Sequence, residues 1–242
     1  MRGEGQFPVR IAFRERGKVR FVSHRDVARA FDRAFRIEQL PLAFTEGFSP
    51  RPKVSFGLAL SVGHESEAEY LDVRLTEPVD LAALPSRLSA ALPEGIEVTG
   101  AVLLADRAPA LQESVTAVEW EIEVAGRDGS PVTAEAIADR IDRVLATTSL
   151  PVSRTRKGRQ DTVDIRPALR HLRVRGAGAA GPVLAAEIAT QPGARPAEVV
   201  TVLGDDLREV RVLRTAQWIE RGGARLEPLT ADALRAVEAR AS

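Results

Sequence analysis

The chain of 242 residues contains 34 basic and 34 acidic residues and no cysteine. The absence of cysteine excludes a disulfide framework, a thiolate nucleophile and a cysteine-ligated metal cluster. An apolar fraction of 44% is enough for a buried core, while no apolar run approaches the roughly 18 residues of a membrane-spanning helix. The N-terminus shows no apolar signal-peptide region. We therefore expect a soluble cytoplasmic protein without a membrane partner.

The net charge of zero hides a strong segregation of charge along the chain. Residues 1–60 contain 12 basic and 6 acidic residues, residues 61–149 contain 6 and 17, and residues 150–175 contain 8 and 2. Two basic blocks separated by an acidic block are able to form one positive face for an acidic partner. In the alternative interpretation, the blocks pack against each other and their charges cancel.

The first half of the chain opens with a predicted strand and an amphipathic helix. Apolar and charged residues alternate from Val9 to Val22, which predicts one long strand or a strand pair. Ser23, with Asp26 three residues later, resembles a capping box and predicts the start of a helix. In that helix an apolar stripe faces the core and a basic ridge lies on the other side. The stripe is Val27, Ala30, Phe31, Ala34 and Phe35, and the ridge is Arg25, Arg29, Arg33 and Arg36.

The remaining elements predict one order of strands and helices in both halves of the chain. In the first half, further strands are predicted at Leu42–Phe44, Lys53–Leu60, Ala68–Leu75 and Ile96–Leu104, and a helix at Pro78–Ala91. In the second half, the predicted elements are strands at Val118–Val124, Val183–Ala189 and Val210–Ile219, helices at Thr133–Leu145 and Pro196–Leu203, and an extended basic region at Pro151–Val174.

The order β-α-β-β-α-β is typical of a ferredoxin-like module. The sequence therefore predicts an α+β fold of two tandem ferredoxin-like modules with antiparallel sheets. The predicted modules are residues 1–110 and 111–220, and residues 221–242 form a terminal helix or tail.

The segment Gly47–Lys53 places two prolines and two cations between apolar runs. Pro50 and Pro52 have no N–H and a fixed φ, which excludes them from a central strand. The expected result is a stiff loop that holds Arg51 and Lys53 outward, where they are suited to bind phosphate. Together with Arg25, Arg29 and Arg33 of the basic ridge, the loop predicts a site for structured RNA or a smaller anion. The prolines are equally explained by a structural role at the entry to the next strand.

A second cationic segment follows the predicted helix of the second half. Its candidate RNA-binding residues are Arg154, Arg156, Lys157, Arg159 and Arg166. Guanidinium groups bind phosphates bidentately, and the glycine within the segment allows a close approach of the backbone. The alternative is a solvated surface turn. Asp164 lies between two apolar residues and is either an acid or base candidate or a structural partner of a neighbouring arginine.

The chain has three histidines, of which His24 is the strongest catalytic candidate. His24 stands at the start of the first predicted helix, where a neutral imidazole is able to act as a general base or to donate to a phosphate. His64 lies near Glu65 and Glu67, but no HxxxH or HxH spacing supports a metal site. We expect no metal and no cofactor. Walker, dinucleotide-binding and GxSxG motifs are absent from the sequence.

Two runs of the sequence carry a family resemblance. KVRFVSHRD (18–26) and PLAFTEGFSPRPKVSFG (41–57), followed by residues 65–75, resemble the bacterial radical-SAM-linked protein family within the first 110 residues. Residues 153–167 resemble its second half more loosely. Proteins of this family occur alone or fused behind a radical SAM domain, and no biochemical activity is assigned to them.

The resemblance implies a functional link to a radical SAM enzyme. Such an enzyme holds its iron–sulfur cluster with three cysteines, and this chain has none. The resemblance therefore implies a non-catalytic accessory that binds RNA or presents a substrate. Two alternatives stay open: a metal-independent RNA-processing or RNA-modifying enzyme that uses His24, and a protein–protein scaffold whose basic face meets an acidic partner.

Overall fold

The computed structural model describes residues 6–105, 108–156, 158–231 and 233, without the side chain of Arg156. The protein has a mixed α+β fold with extensive antiparallel strand pairing and few helices, which confirms the predicted fold class at this level. The chain divides into two compact units. The first unit contains the described residues up to Val115 and those from Trp218 onward, and the second contains residues 116–217.

The first unit follows the order β-α-β-β-α-β and ends in a short helix. Its elements are β1 (Phe7–Glu15), a 3₁₀ helix (Gly17–Phe21), α1 (His24–Ile37), β2 (Val54–Phe56), β3 (Glu65–Leu75), α2 (Leu84–Ala91), β4 (Ile96–Leu103) and α3 (Leu111–Ser114). Strand β1 lies between β3 and β4, and β2 pairs with the other edge of β3. All of these pairs are antiparallel, so the strand order is β4-β1-β3-β2.

Helix α1 forms where the capping and periodicity signals predict it. The Ser23 hydroxyl accepts a hydrogen bond from the Asp26 N–H, which satisfies one of the first backbone donors of the helix. Val27, Phe31, Ala34 and Phe35 are buried, and the ring of Phe31 meets that of Phe13 edge-on at 4.7 Å. The predicted apolar stripe is therefore confirmed as the core face of α1.

The predicted strand pair over Val9–Val22 is wrong in its second half, which is the 3₁₀ helix. The 3₁₀ helix begins at Gly17, where φ is +71°, a value that glycine adopts without a Cβ penalty. The buried carboxylate of Glu65 accepts the Gly17 N–H at 2.8 Å and lies 3.6 Å from the guanidinium of Arg20. These polar contacts stabilise the 3₁₀ helix. The alternation of apolar residues in the sequence carries no information about them, which is why it predicts a strand.

The strands predicted on either side of the proline-rich loop are much shorter than expected. Leu42 and Phe44 make only isolated bridges, to Leu75 and Pro52, and β2 retains three residues of the predicted Lys53–Leu60. Pro41 precedes the first stretch and Pro52 precedes the second, and neither supplies an N–H for a strand ladder. Helix α2 begins at Leu84 because the segment before it forms a turn and Pro85 occupies the first helical turn.

The second unit repeats the order of the first with a hairpin inserted after its first helix. Its elements are β5 (Ala117–Gly126), α4 (Ala134–Ala146), β6 (Pro151–Arg156), β7 (Arg159–Asp164), β8 (Leu169–Ala177), β9 (Pro182–Ala189), α5 (Pro196–Leu203) and β10 (Leu207–Arg221). Neighbouring strands follow the order β10-β5-β9-β8, and β6 and β7 form a separate two-stranded sheet. The region predicted as extended, Pro151–Val174, contains this hairpin, which turns near Gly158, where φ is +77°, and then a short 3₁₀ turn and most of β8. After β10, strand β11 (Ala224–Leu226) pairs with residues Ile219–Arg221.

A buried ion pair ties β1 to β3 in the first unit. Arg10 and Asp72 are cross-strand partners, and the Arg10 side chain is completely buried. Its Nε and Nη2 donate to the two carboxylate oxygens of Asp72 at 2.7 and 2.9 Å. This bidentate geometry compensates much of the desolvation cost of the buried guanidinium.

Among the described residues, no helix has the length and apolar character needed to cross a membrane.

We expect Asp72→Ala to lower the free energy of unfolding by about 3–5 kcal/mol, because it leaves a buried arginine without its bidentate carboxylate. Urea denaturation followed by circular dichroism measures this change. Glu97→Ala is the matched control, since it removes the carboxylate partner of Arg14 on the exposed side of β4 and should cost far less. Equal losses in the two variants would show that the Arg10–Asp72 pair has no special role.

Candidate nucleic-acid interface

The exposed side of α1 carries a line of arginines, which we call the α1 ridge and define as Arg25, Arg29 and Arg33. All three side chains are exposed. They follow one another at intervals of four residues, about 6 Å along the helix axis, and so lie on one face. Arg29 pairs with Asp26 at 2.9 Å. The hydrogen bond from the Ser23 hydroxyl, followed by the contact with Arg29, holds the pKa of Asp26 below its usual range.

The proline-rich loop is a closed excursion, which we call the Phe48 loop and define as Phe44–Lys53. Backbone hydrogen bonds of 2.9 Å from Thr45 to Arg51 and 2.8 Å from Lys53 to Ala43 join its two stems. The Arg51 N–H also donates to the Thr45 hydroxyl at 3.0 Å. These contacts hold the loop closed at its base while its tip lies in solvent.

The Phe48 loop exposes two aromatic rings, Phe48 at its tip and Phe44 at its base, together with the cation Arg51. Phe48 is fully exposed, Phe44 is 52% exposed, and Arg51 is exposed. Lys53, at the end of the loop, is half-buried, and its Nζ lies 3.4 Å from the Gln6 side-chain oxygen. Sequence reasoning placed the cations in this loop but did not select Phe48. An aromatic residue between Gly47 and a Ser-Pro pair was the signal for it, because such a position has no core to enter.

The strand that follows the loop is fixed against the start of α1. The ring of Phe56 on β2 lies edge-on to that of His24 at 5.1 Å and to that of Phe31 at 5.8 Å. His24 is exposed and lines a narrow cleft of about 10 Å³ with Arg20 and His64. A cleft of this size is too small for a nucleotide.

The carboxylates near His64 are bound by arginines. Glu65 lies 3.7 Å from Arg16 and 3.6 Å from Arg20, and Glu67 pairs with Arg16. In the part of the chain that the structure describes, no group of three His, Asp or Glu side chains is arranged to hold a metal ion.

In the second unit, Arg154 is engaged by protein groups. Its Nε and Nη2 donate to the two oxygens of Glu198 at 2.6 and 2.7 Å, and Nη2 also donates to the Gly193 carbonyl at 2.8 Å. Burial raises the pKa of Glu198, but the hydrogen bonds from Arg154 and from the Arg195 N–H outweigh it, and the pKa lies below its usual range. The pair fastens β6 to α5.

Arg166 and Asp164 form a second structural junction in this unit. The Arg166 guanidinium donates to the carbonyls of Leu145, Thr147 and Leu169 at 3.1–3.2 Å, and so satisfies acceptors at the end of α4. Asp164 accepts from the N–H groups of Leu150 and Arg166 at 2.7 and 2.9 Å, and these bonds lower its pKa.

Three further cations of the second segment are predicted to bind RNA: Arg156, Lys157 and Arg159. Arg159 is exposed on β7. Lys157 and the side chain of Arg156 lie outside the described residues. The α1 ridge and Arg51 are therefore the predicted anion-binding residues that are exposed in the first unit, while protein contacts engage Arg154 and Arg166 in the second.

Comparison with known proteins gives one family assignment. Residues 9–196 match the model of a family described as "Uncharacterized protein conserved in bacteria (DUF2344)". The chain belongs to this family. The expected membership of an uncharacterised bacterial family is thus confirmed, whereas the radical SAM link stays a prediction.

The other comparisons add no functional argument. No curated protein matches the chain. Among solved structures, a putative dyp-type peroxidase from Shewanella oneidensis is similar at 9% identity and a TM-score of 0.22, with 86% of this chain and 91% of that chain covered. A TM-score this low supports no inference about the DUF2344 chain.

Arg154→Ala should destabilise the protein by about 1–3 kcal/mol, because it leaves the largely buried Glu198 carboxylate without its bidentate partner. Thermal and urea unfolding measure the loss. Arg159→Ala, on the paired strand of the same hairpin, serves as the control and should change stability little. A loss of the same size in both variants would mean that the Arg154–Glu198 contact contributes nothing specific.

The lowered pKa of Asp164 predicts a pH-dependent contribution to stability. The carboxylate stabilises the fold fully above its unfolded pKa of about 3.9, and the contribution is lost as the pH falls through the lower folded pKa. The stability difference between the wild type and Asp164→Asn should therefore be larger at pH 7 than at pH 3. Urea titrations at both pH values test this, with Asp161→Asn on the same strand as the control. An Asp164→Asn difference that does not change with pH would contradict the assignment.

Proposed function

We propose that this protein is a non-catalytic, RNA-binding accessory that presents structured RNA to a radical SAM enzyme. The observation that carries the proposal is the exposure, within the first unit, of the arginines of the α1 ridge and of Phe48 and Arg51 in the Phe48 loop. The proposal implies a cytoplasmic location.

The α1 ridge has the chemistry of a phosphate-binding surface. Guanidinium groups bind phosphate oxygens bidentately and keep their charge at every physiological pH. The apolar side chains of α1 are buried on its core face, and the arginines lie on the opposite face, where they do not pack in the core. A line of three cations along one helix fits successive phosphates of a nucleic-acid strand better than one small anion.

The Phe48 loop adds a contact that favours RNA with unpaired bases. Proteins recognise RNA largely at loops, bulges and ends, where unstacked bases lie on aromatic side chains. Phe48 is fully exposed, and Arg51 stands three residues away to bind a neighbouring phosphate. Stacking of one base on an aromatic ring contributes about 1–3 kcal/mol. We therefore infer that the bound RNA combines a backbone along the α1 ridge with an unpaired base at Phe48.

The accessory role follows from the composition together with the family resemblance. Radical SAM chemistry requires a cluster held by three thiolates, and no residue of this chain supplies one. A partner protein would therefore hold the cluster, and this chain would contribute binding and positioning.

We further propose that each unit is a ferredoxin-like module. In the first unit β3 lies between β1 and β2, and in the second β9 lies between β5 and β8. A strand placed between the first two strands of the unit is the feature of the split β-α-β arrangement. The strand orders β4-β1-β3-β2 and β10-β5-β9-β8 are equivalent once the hairpin of β6 and β7 is set aside.

The RNA proposal predicts salt-sensitive binding that depends on the α1 ridge. We expect the triple variant Arg25→Gln, Arg29→Gln and Arg33→Gln to bind a fluorescein-labelled RNA hairpin at least about tenfold more weakly than the wild type. The slope of log affinity against log salt should fall by about 2–3. Fluorescence anisotropy at several salt concentrations measures both quantities. Arg208→Gln, on an exposed position of β10, is the control for general loss of charge.

Variants of the Phe48 loop separate base stacking from charge. Phe48→Ala should weaken binding to a hairpin with an unpaired loop by roughly 5-fold to 100-fold, with little change in salt slope. Arg51→Gln should reduce the salt slope by about 1. Wild-type affinity in the ridge variant and in both loop variants would refute the proposed interface. RNA cleavage by the purified wild type in chelator, lost in His24→Ala, would replace the accessory with an enzyme.

The proposed partner has its own test. Crosslinking in cells, followed by identification of the attached RNA and protein, should recover a radical SAM protein together with structured RNA. Recovery of an acidic protein without RNA would instead support the scaffold interpretation.

A further inference from the structure

A cavity of about 400 Å³ lies at the base of the Phe48 loop, apart from the α1 ridge. Residues of β2 and β3 line it, together with Pro8 at the start of β1 and residues of the Phe48 loop. Leu104, Ala105, Ala108 and Ala110, which follow β4, complete the lining. On β3, Asp72 and Arg74 alternate with the buried core residues Leu71 and Val73. Alternation puts them on the opposite face of the sheet from the core under α1. The volume falls within the range of small-molecule sites.

Two cations are held side by side in this cavity. Val54 on β2 is the register partner of Val73 on β3, so the next pair outward is Lys53 and Arg74. The Arg74 N–H donates to the Lys53 carbonyl at 3.1 Å, which fixes this pair. Residues directly opposite each other on antiparallel strands project to the same face, and like charges in such a pair are destabilising. The backbone pairing therefore places two like charges on neighbouring positions of one face, an arrangement that a bound anion would stabilise.

Among the described residues that line the cavity, Asp72 is the only carboxylate, and it does not offset these cations. Both oxygens of Asp72 accept hydrogen bonds from the buried Arg10, so the charge of Asp72 is already matched. The described lining residues offer no second carboxylate to Lys53 and Arg74, so a bound anion would supply the matching charge. The hydroxyls of Ser55 and Thr45 also line the cavity and are able to donate hydrogen bonds to oxyanions.

We propose that this cavity binds a small phosphomonoester of mononucleotide size. A phosphate dianion matches the two cations in charge and accepts from guanidinium, ammonium and hydroxyl donors together. Apolar groups of Pro8, Pro52 and Leu104 form a wall for the organic part of the ligand. A concave site with two neighbouring cations suits one terminal phosphate, whereas the α1 ridge suits a row of internal phosphates. The cavity therefore goes beyond the RNA contacts proposed for the ridge.

Isothermal titration calorimetry on the full chain tests the proposal with AMP, inorganic phosphate and adenosine as probes. We expect AMP to bind more tightly than inorganic phosphate, and adenosine to bind at least about tenfold more weakly than AMP, since it lacks the charge-assisted hydrogen bonds. Arg74→Gln should weaken AMP binding at least about tenfold, while Arg74→Lys should retain more of it. Absence of AMP and phosphate binding to the wild type at millimolar concentration, or equal AMP affinity in Arg74→Gln, would overturn the proposal.

A second arm separates this site from the RNA interface and identifies the source of the phosphate. Arg33→Gln on α1 should leave AMP affinity unchanged while weakening RNA binding, so loss of one function does not imply loss of the other. Two RNA oligonucleotides that differ only in a 5′-phosphate or a 5′-hydroxyl are then compared. Tighter binding of the phosphorylated strand, abolished by excess AMP, identifies an RNA end as the ligand. Equal binding of the two strands with intact AMP affinity identifies a free phosphomonoester.

Discussion

The bidentate contact between Arg10 and Asp72 is the interaction on which the surfaces of the first unit depend. It joins β1 to β3. Strand β3 also pairs with β2, the strand that follows the Phe48 loop. A buried guanidinium tolerates few positions for its carboxylate, and a slip of one residue would turn every side chain of a strand to the other face. The pair therefore favours the β1–β3 register that turns Asp72 and Arg74 to one face of β3 and buries Leu71 and Val73 on the other.

Proline chemistry explains why the neighbouring loop remains outside the sheet. The segment has apolar residues on both sides and would otherwise extend the flanking strands. Pro50 and Pro52 provide no N–H groups, so pairing reduces to a few stem bonds and one isolated bridge between Phe44 and Pro52. The ring of Phe48, at the tip, is therefore fully exposed. The prolines that prevent strand pairing thus leave the tip of the Phe48 loop exposed, and this is the surface that we propose binds RNA.

The two basic blocks of the sequence have different fates in the structure, and this difference narrows the candidate site. In the first block, the arginines of α1 lie on a helix face that the core does not use. In the second, Arg154 and Arg166 bind a carboxylate and backbone carbonyls, which makes them structural contacts of the second unit. A count of charged residues along the sequence does not distinguish the two blocks. The difference arises because the fold brings carboxylate and carbonyl acceptors within hydrogen-bonding distance of the second block.

The sequence by itself determined the local elements: the cap and apolar stripe of α1, the short helix Pro196–Leu203 and the strands with regular alternation, because these depend on neighbours within a few residues. It also determined that cysteine-based chemistry is absent from the chain. Only the tertiary structure decided that Gly17–Phe21 is a 3₁₀ helix, that Lys53 stands opposite Arg74, and that Phe48 is exposed. These outcomes depend on contacts between residues distant in the chain, such as Glu65 with Gly17, for which local periodicity carries no signal.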